Sequence, residues 1–188
     1  MTTLKLVFQQ IILWLRSPKA VSKAESGVPL NYIAAVTKLA DERKNLRFLN
    51  DSNNFAKLVA WLMIRNVCPA DEVLIYSKAL TQSFYSEIMR ASCLLDSKPR
   101  FKIVLDNKDG IEVIKKLPED VQRRIDCRVA TTQDGSHMLL TPVAFRAEAK
   151  SYRDELFVVC NFYEPEVVQT LKSRFERIWA NSVPCSVS

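Results

Sequence analysis

The chain alternates between short apolar runs and helical patterns from about residue 72 onward, and this alternation strongly limits the folds open to it. Apolar, strand-like runs occur at Val73–Tyr76, Phe101–Leu105 and Cys127–Ala130. Helical patterns are predicted between them, over residues 81–94 and 109–124. Strands that alternate with helices build a sheet with parallel pairs and with helices on its faces. The sequence therefore predicts an α/β fold.

Further elements are predicted on either side of this alternating part. Upstream, a helical stripe covers residues 30–44, a short strand covers 46–49, and a second helix runs to about residue 66. Downstream, the apolar run Leu156–Phe162 has the length and β-branched content of a strand covered on both faces. After Glu164-Pro165, apolar residues recur at the helical spacing of three and four, at Val167, Val168, Leu171, Phe175, Ile178 and Trp179.

Composition excludes some classes of function and favours others. Three glycines in 188 residues are too few for a Walker-type or dinucleotide-binding phosphate loop. A net charge of +6 and a pI near 9.1 mildly favour anionic partners. Two sets of basic residues are candidates for phosphate contacts, and a solvated surface is the more ordinary explanation for them. One comprises Lys115, Lys116, Arg123, Arg124 and Arg128, and the other Arg43, Lys44, Arg47, Lys98, Arg100 and Lys102.

The cysteines favour a reducing compartment. Five of them are scattered along the chain, none in a Cys-x-x-Cys pair, and they are accompanied by one histidine. Zinc sites need clustered soft ligands, so no metal is expected. No cofactor is expected either. Thiols of this kind usually pack as small apolar side chains, and the predicted location is cytoplasmic.

The N-terminal region is predicted to form a helical extension over residues 1–45, ahead of a domain over residues 46–188. The apolar run within residues 2–15 is too short to span a bilayer, so no transmembrane segment is expected. We expect an amphipathic helix that docks on the domain or on another chain. A helix lying on a membrane surface is the alternative.

Three features in the C-terminal part follow a known order. His137 opens the apolar run His-Met-Leu-Leu, Glu155 begins a later strand, and the final helix ends in Phe175-Glu-Arg-Ile-Trp179. This order resembles the C-terminal half of a phospholipase D superfamily domain, and the resemblance covers about residues 46–182. It implies a mixed sheet flanked by helices. Leu139 stands where the family's His-x-Lys motif has lysine, and the motif's aspartate and the following Gly-Ser-x-Asn element are missing.

The resemblance implies a chemistry for the residues that match. In the family, one histidine attacks phosphorus and a second protonates the leaving oxygen, so a chain with one motif forms a homodimer to assemble a site. His137 would be the catalytic residue and Glu155 would orient it. The family's lysines hold the non-bridging oxygens. Leu139 cannot do so, and Arg146, Lys150 or Arg153 are candidates to supply the missing cation.

Two hypotheses about function follow from this resemblance. The preferred one is a degenerate domain that has lost phosphodiester cleavage and serves as a binding or assembly module, with nucleic acid or another phosphate-bearing ligand as partner. Such a module would suit a homodimer or a hetero-assembly, for instance as an accessory subunit of a bacterial or phage defence system. The alternative is an active homodimeric nuclease or phosphodiesterase in which His137 acts with an arginine.

Overall fold

The computed structural model of the chain describes residues 30–49, 53–68, 70–78, 80, 88–89, 99–131, 137–150 and 156–185. Five helices are bounded within these ranges: α1 (Leu30–Asp41), α2 (Asn53–Ile64), α3 (Asp109–Lys115), α4 (Glu119–Gln122) and α5 (Pro165–Ala180). The strands are β1 (Phe48–Leu49), β2 (Glu72–Ser77), β3 (Arg100–Leu105), β4 (Ile125–Ala130), β5 (Met138–Leu140), β6 (Phe145–Lys150), β7 (Leu156–Asn161) and β8 (Ser182–Pro184).

The strands form one eight-stranded mixed sheet in the order β1-β7-β6-β5-β2-β3-β4-β8. β2, β3 and β4 are adjacent in this order and parallel to one another. β5, β6, β7 and β1 extend the sheet on one side by antiparallel pairing, and β8 pairs antiparallel with β4 on the other. The predicted α/β class, with a mixed sheet and flanking helices, is confirmed.

Each face of the sheet carries its own hydrophobic core. The larger core lies under α1, α2, α3 and α4, where Val59, Ile64 and Ile114 are fully buried against Ile75 and Ile103 of the sheet. The smaller core lies under α5 on the opposite face. It comprises Leu74, Tyr76, Val104, Met138, Leu140, Phe145, Val168, Phe175 and Trp179.

α5 forms where the sequence predicts it. Proline at the first position is compatible with a helix start, because the first amides have no partner within the helix. The stripe Val168, Phe175 and Trp179 is buried, and the rings of the last two stack with centroids 5.9 Å apart. The guanidinium of Arg128 lies over the Trp179 ring, 4.5 Å from its centroid, and donates to the Trp179 carbonyl.

A polar cluster fixes the start of α5. Arg47 donates from Nε to Glu164 Oε2 at 2.7 Å and forms a second contact with Oε1. The fully buried Asn161 donates from Nδ2 to Glu164 and to Asn45, at 2.8 Å each, and accepts from the Tyr163 amide. The bond to Arg47 lowers the pKa of Glu164. This cluster joins the segment before β1, the end of β7 and the entry to α5.

The predicted boundaries differ from the observed ones in places. The first helical stripe ends at Asp41 rather than at residue 44, because Arg43 adopts the left-handed conformation with φ of 48°. The predicted strand over 46–49 contains only two residues in strand conformation. β6 was not predicted. The proposed helix over 2–15 and most of the predicted helix over 81–94 lie outside the described residues, and the domain boundary near residue 45 stays a prediction.

Among the helices that the structure describes, none has both the length and the apolar character needed to cross a membrane.

Candidate functional site

His137 lies at the edge of the sheet where the parallel strands end. It directly precedes β5, and because β5 runs antiparallel to β2, it falls beside Ser77 at the carboxyl end of β2. Asp106 directly follows β3, and its amide donates to the Ser77 carbonyl. Ligands of open α/β sheets commonly bind at this edge. The topology therefore brings an imidazole and a carboxylate together at a position suited to function.

Two carboxylates hold the imidazole of His137. Its Nδ1 lies 2.6 Å from Oε2 of Glu148, and its Nε2 lies 3.2 Å from Oδ2 of Asp106. The backbone amide of His137 also donates to the same Glu148 oxygen, at 3.3 Å. The Tyr76 ring packs against the imidazole with centroids 5.6 Å apart. Both ring nitrogens are thus directed at acidic partners.

Burial makes these contacts strong. The side chains of His137, Asp106 and Glu148 are 18%, 4% and 17% exposed. The hydrogen bond to Glu148 raises the pKa of His137 above its ordinary value, against the opposing effect of burial. Burial acts to raise the pKa of Glu148, but the hydrogen bonds and charge of His137 outweigh it and the net shift is downward. The imidazolium and the carboxylate therefore stabilise each other in their charged forms.

Asp106 has one oxygen left over. Oδ1 is buried and has no hydrogen-bond partner within the described part of the chain, while Oδ2 faces His137. A buried carboxylate oxygen without a donor is destabilising, so His137 provides the main compensation for this charge.

Leu139 and Arg146 are direct neighbours across two strands. Leu139 is fully buried in the larger core, and its register partner on β6 is Arg146. Because side chains alternate along a strand, Arg146 and Glu148 are on one face of β6, and the charge of Arg146 contributes to lowering the pKa of Glu148. Arg146, one of the predicted anion-binding residues, thus lies beside the His137 cluster.

The other predicted site residues lie at the end of β6 or outside the described residues. Lys150 ends β6 and its backbone pairs with Leu156. Arg153 and Glu155 lie outside the described residues, so their roles stay predictions. A carboxylate that contacts His137 within the described residues is Glu148, which sequence reasoning missed. The sequence pattern that could have identified Glu148 is an alternation of polar and apolar residues, which indicates a strand with one polar face. The polar residues are Arg146, Glu148 and Lys150.

Many residues of the two predicted basic sets have acidic partners within the chain. Arg47 pairs with Glu164 and Lys102 with Glu72. Lys115 and Arg123 pair with glutamates one helical turn earlier. The guanidinium of Arg128 packs on the Trp179 ring and donates to the Trp179 carbonyl, as described above. Lys98 lies outside the described residues.

Within the described ranges, no group of three or more His, Cys, Asp or Glu side chains is arranged to hold a metal ion. In the His137 cluster the two carboxylates contact opposite nitrogens of one ring, so they do not converge on a common point.

The pKa shifts predict how stability depends on pH. His137 has a folded pKa above its ordinary 6.5, so its contribution is complete below that value and is lost as pH rises through the folded pKa. Glu148 has a folded pKa below its ordinary 4.5, so its contribution is complete above 4.5 and is lost as pH falls through the folded pKa. We therefore expect Glu148→Gln to destabilise the protein more at about pH 5.5 than at about pH 9.

Urea unfolding of the wild type and of Glu148→Gln at both pH values measures this difference. Glu112→Gln is the matched control, because it removes an exposed carboxylate paired with Lys115 and should have a small effect at both pH values. An equal loss of stability for Glu148→Gln at the two pH values would contradict the assignment of an ionised pair.

Comparisons with known proteins address the fold. No protein-family model matches the sequence, and no curated protein matches it. Among solved structures, the archaeal chromatin protein TrmBL2, described as showing a novel mode of DNA binding, matches 97% of this chain with a TM-score of 0.57 and 16% identity. The match covers 64% of TrmBL2, so the chain corresponds to less than two thirds of that protein's length.

Two bacterial structures match over nearly their whole length. The phospholipase D family member NUC from Salmonella typhimurium has a TM-score of 0.57 and 10% identity, and NucT from Helicobacter pylori has 0.52 and 12%. Each match covers 76% of this chain and 99% of the other. At these identities the likeness concerns the fold alone. The chain has a phospholipase D-like fold.

Proposed function

We propose that the chain is a phospholipase D-like domain that does not cleave phosphodiesters and acts as a binding or assembly module. The observation that carries this proposal is the state of His137, whose two ring nitrogens both contact buried carboxylates. A histidine that attacks phosphorus needs an unprotonated nitrogen directed at the substrate. Here the pKa of His137 is raised, and Nε2 faces Asp106.

Electrostatics also oppose phosphate binding beside this ring. An incoming phosphodiester would approach two carboxylates that are mostly shielded from water, where repulsion between like charges is stronger than in solvent. Leu139 has no donor for a non-bridging oxygen, and the loss of one such donor typically lowers a rate by about a hundredfold to a thousandfold. Arg146, the nearest cation by register, already acts on Glu148.

Nucleic acid, or another phosphate-bearing ligand, is the partner class that we propose. Support comes from the net charge of +6 and from the match to a DNA-binding chromatin protein over 97% of the chain. Binding would use surface cations and would leave His137 in its internal contacts. A cytoplasmic location, a homodimer or hetero-assembly, and a role as accessory subunit in a bacterial or phage defence system remain parts of this proposal.

The rival function is an active homodimeric nuclease or phosphodiesterase. The observation in its favour is the register pair Leu139–Arg146, which places an arginine directly across from the position of the family's lysine. In that case Arg146 would leave Glu148 when substrate binds and would contact a phosphate oxygen.

Turnover and binding assays on the full chain separate the two functions. We expect no hydrolysis of bis(p-nitrophenyl) phosphate or of labelled single- and double-stranded DNA and RNA, together with salt-sensitive binding of at least one nucleic acid. Hydrolysis that is abolished by Arg146→Gln and by His137→Gln would establish the rival. Absence of both hydrolysis and nucleic-acid binding would reject the proposed partner class, and light scattering on the same samples gives the oligomeric state.

A further inference from the structure

Two cysteines far apart in sequence face each other at one edge of the sheet. β4 and β8 pair with Arg128 opposite Pro184, so the next antiparallel position places Cys127 opposite Cys185. The Cys185 amide donates to the Cys127 carbonyl at 3.1 Å, and the neighbouring Cys185 side chain contributes to raising the pKa of Cys127. Both thiols are free in this structure.

The backbone geometry of this pair suits a disulfide. Directly opposite residues that share a hydrogen bond in an antiparallel pair have Cα atoms about 5.5 Å apart. Disulfides commonly join Cα atoms separated by about 4.4–6.8 Å. Directly opposite residues of paired strands have their side chains on the same face of the sheet, so a bond requires rotation about side-chain torsions and little movement of the strands.

The two thiols differ in their exposure to solvent. Cys185 directly follows β8 and is half-buried, whereas Cys127 is buried within β4. Burial and the contact with Cys185 raise the pKa of Cys127. An external reagent therefore meets Cys185 first, and Cys127 is placed to attack it afterwards.

We propose that Cys127 and Cys185 are a redox modification site that forms a reversible disulfide by exchange with a low-molecular-weight disulfide. The Cys185 thiolate attacks one sulfur of the reagent, a mixed disulfide forms, and one reagent thiol leaves. Cys127 then attacks the Cys185 sulfur, the mixed disulfide breaks, and the second reagent thiol leaves with the proton of Cys127. Two cysteine thiols are oxidised and one reagent disulfide is reduced to two thiols.

The bond would fasten β8 to its neighbour β4. β8 forms one wall of a groove whose other side is α3, and the groove is lined by Lys108, Ile111, Val129, Val183, Pro184 and Cys185. The disulfide would also close a loop of about 60 residues that contains β5, β6, β7 and α5, and such closure restricts the unfolded chain. Oxidation would therefore rigidify the groove wall and stabilise the domain.

Treatment of the purified full chain with glutathione disulfide tests this site. We expect loss of two thiols, a peptide map that links Cys127 to Cys185, and a rise in Tm of roughly 10 °C that dithiothreitol reverses. Cys185→Ser should prevent the link and the rise in Tm. Cys68→Ser is the matched control, since Cys68 is exposed and distant in sequence from the pair, and it should retain both effects.

Two results would overturn the proposal. One is the absence of a Cys127–Cys185 peptide from oxidised wild-type protein under conditions in which Cys68 is glutathionylated. The other is an equal rise in Tm in Cys185→Ser, which would assign the stabilisation to a different thiol. Cys160 does not compete for the external reagent, because its side chain is buried and only 1% exposed.

Discussion

Replacing His137 with alanine is expected to lower the free energy of unfolding by about 3 kcal/mol at neutral pH, the magnitude typical for removal of one partner from a buried ion pair. The substitution leaves Asp106 and Glu148 close together without the cation between them. Asp106 is affected most, because its other oxygen already has no partner among the described residues. Its carboxylate would then be buried without any compensating donor from His137.

Urea unfolding monitored by circular dichroism measures the effect, and Arg123→Ala is the control. Arg123 pairs with Glu119 on an exposed surface, so its removal should cost less than about 1 kcal/mol. Adding Asp106→Asn to His137→Ala should recover part of the loss, because it removes the uncompensated charge. A stable His137→Ala protein would instead favour a histidine held for chemistry at the expense of stability.

Replacing Phe175 with alanine is expected to cost about 4 kcal/mol, as for other fully buried aromatic side chains. Phe175 is at the centre of the smaller core and stacks on Trp179. The ring that Phe175 supports also receives the guanidinium of Arg128, so its loss would loosen the contact between α5 and β4. This cost is a large part of the total stability of about 5–15 kcal/mol that is usual for a domain.

Val183→Ala provides the comparison for this prediction. Val183 is apolar but 56% exposed, and its truncation should change stability by less than about 0.5 kcal/mol. Thermal and urea unfolding of both variants give the two values. A small loss for Phe175→Ala would mean that α5 contributes little to the stability of the sheet, contrary to the burial of its apolar stripe.

The main elements of the fold could be predicted because their sequence signals are local. Val73–Tyr76 is a continuous apolar run and Phe101–Leu105 is interrupted only by Lys102, and the structure covers both strands on two faces. The stripe of α5 follows the helical period closely enough to identify Phe175 and Trp179 as core residues, which is confirmed. β6 was missed because only two alanines and one phenylalanine mark its apolar face.

The site could be predicted only in part, because its contacts depend on strand register. His137 was identified from its place before an apolar run, and Asp106 directly follows the predicted strand Phe101–Leu105. Their contact follows from the order β5-β2-β3 in the sheet, which no local pattern fixes. The role of Glu148 depends on the pairing of Met138 with Ala147, since a shift of one residue would turn its side chain to the opposite face.

The two borders of the sheet determine how a second molecule can approach it. β1 has two residues and β8 has three, the last of them a proline that lacks an amide proton. A strand of another molecule that pairs with either edge strand would find few backbone hydrogen-bond partners. Short or proline-containing edge strands of this kind protect natural proteins against edge-to-edge aggregation. Pairing of such proteins into larger assemblies is thus directed to helix surfaces and loops, where side chains rather than backbone amides select the partner.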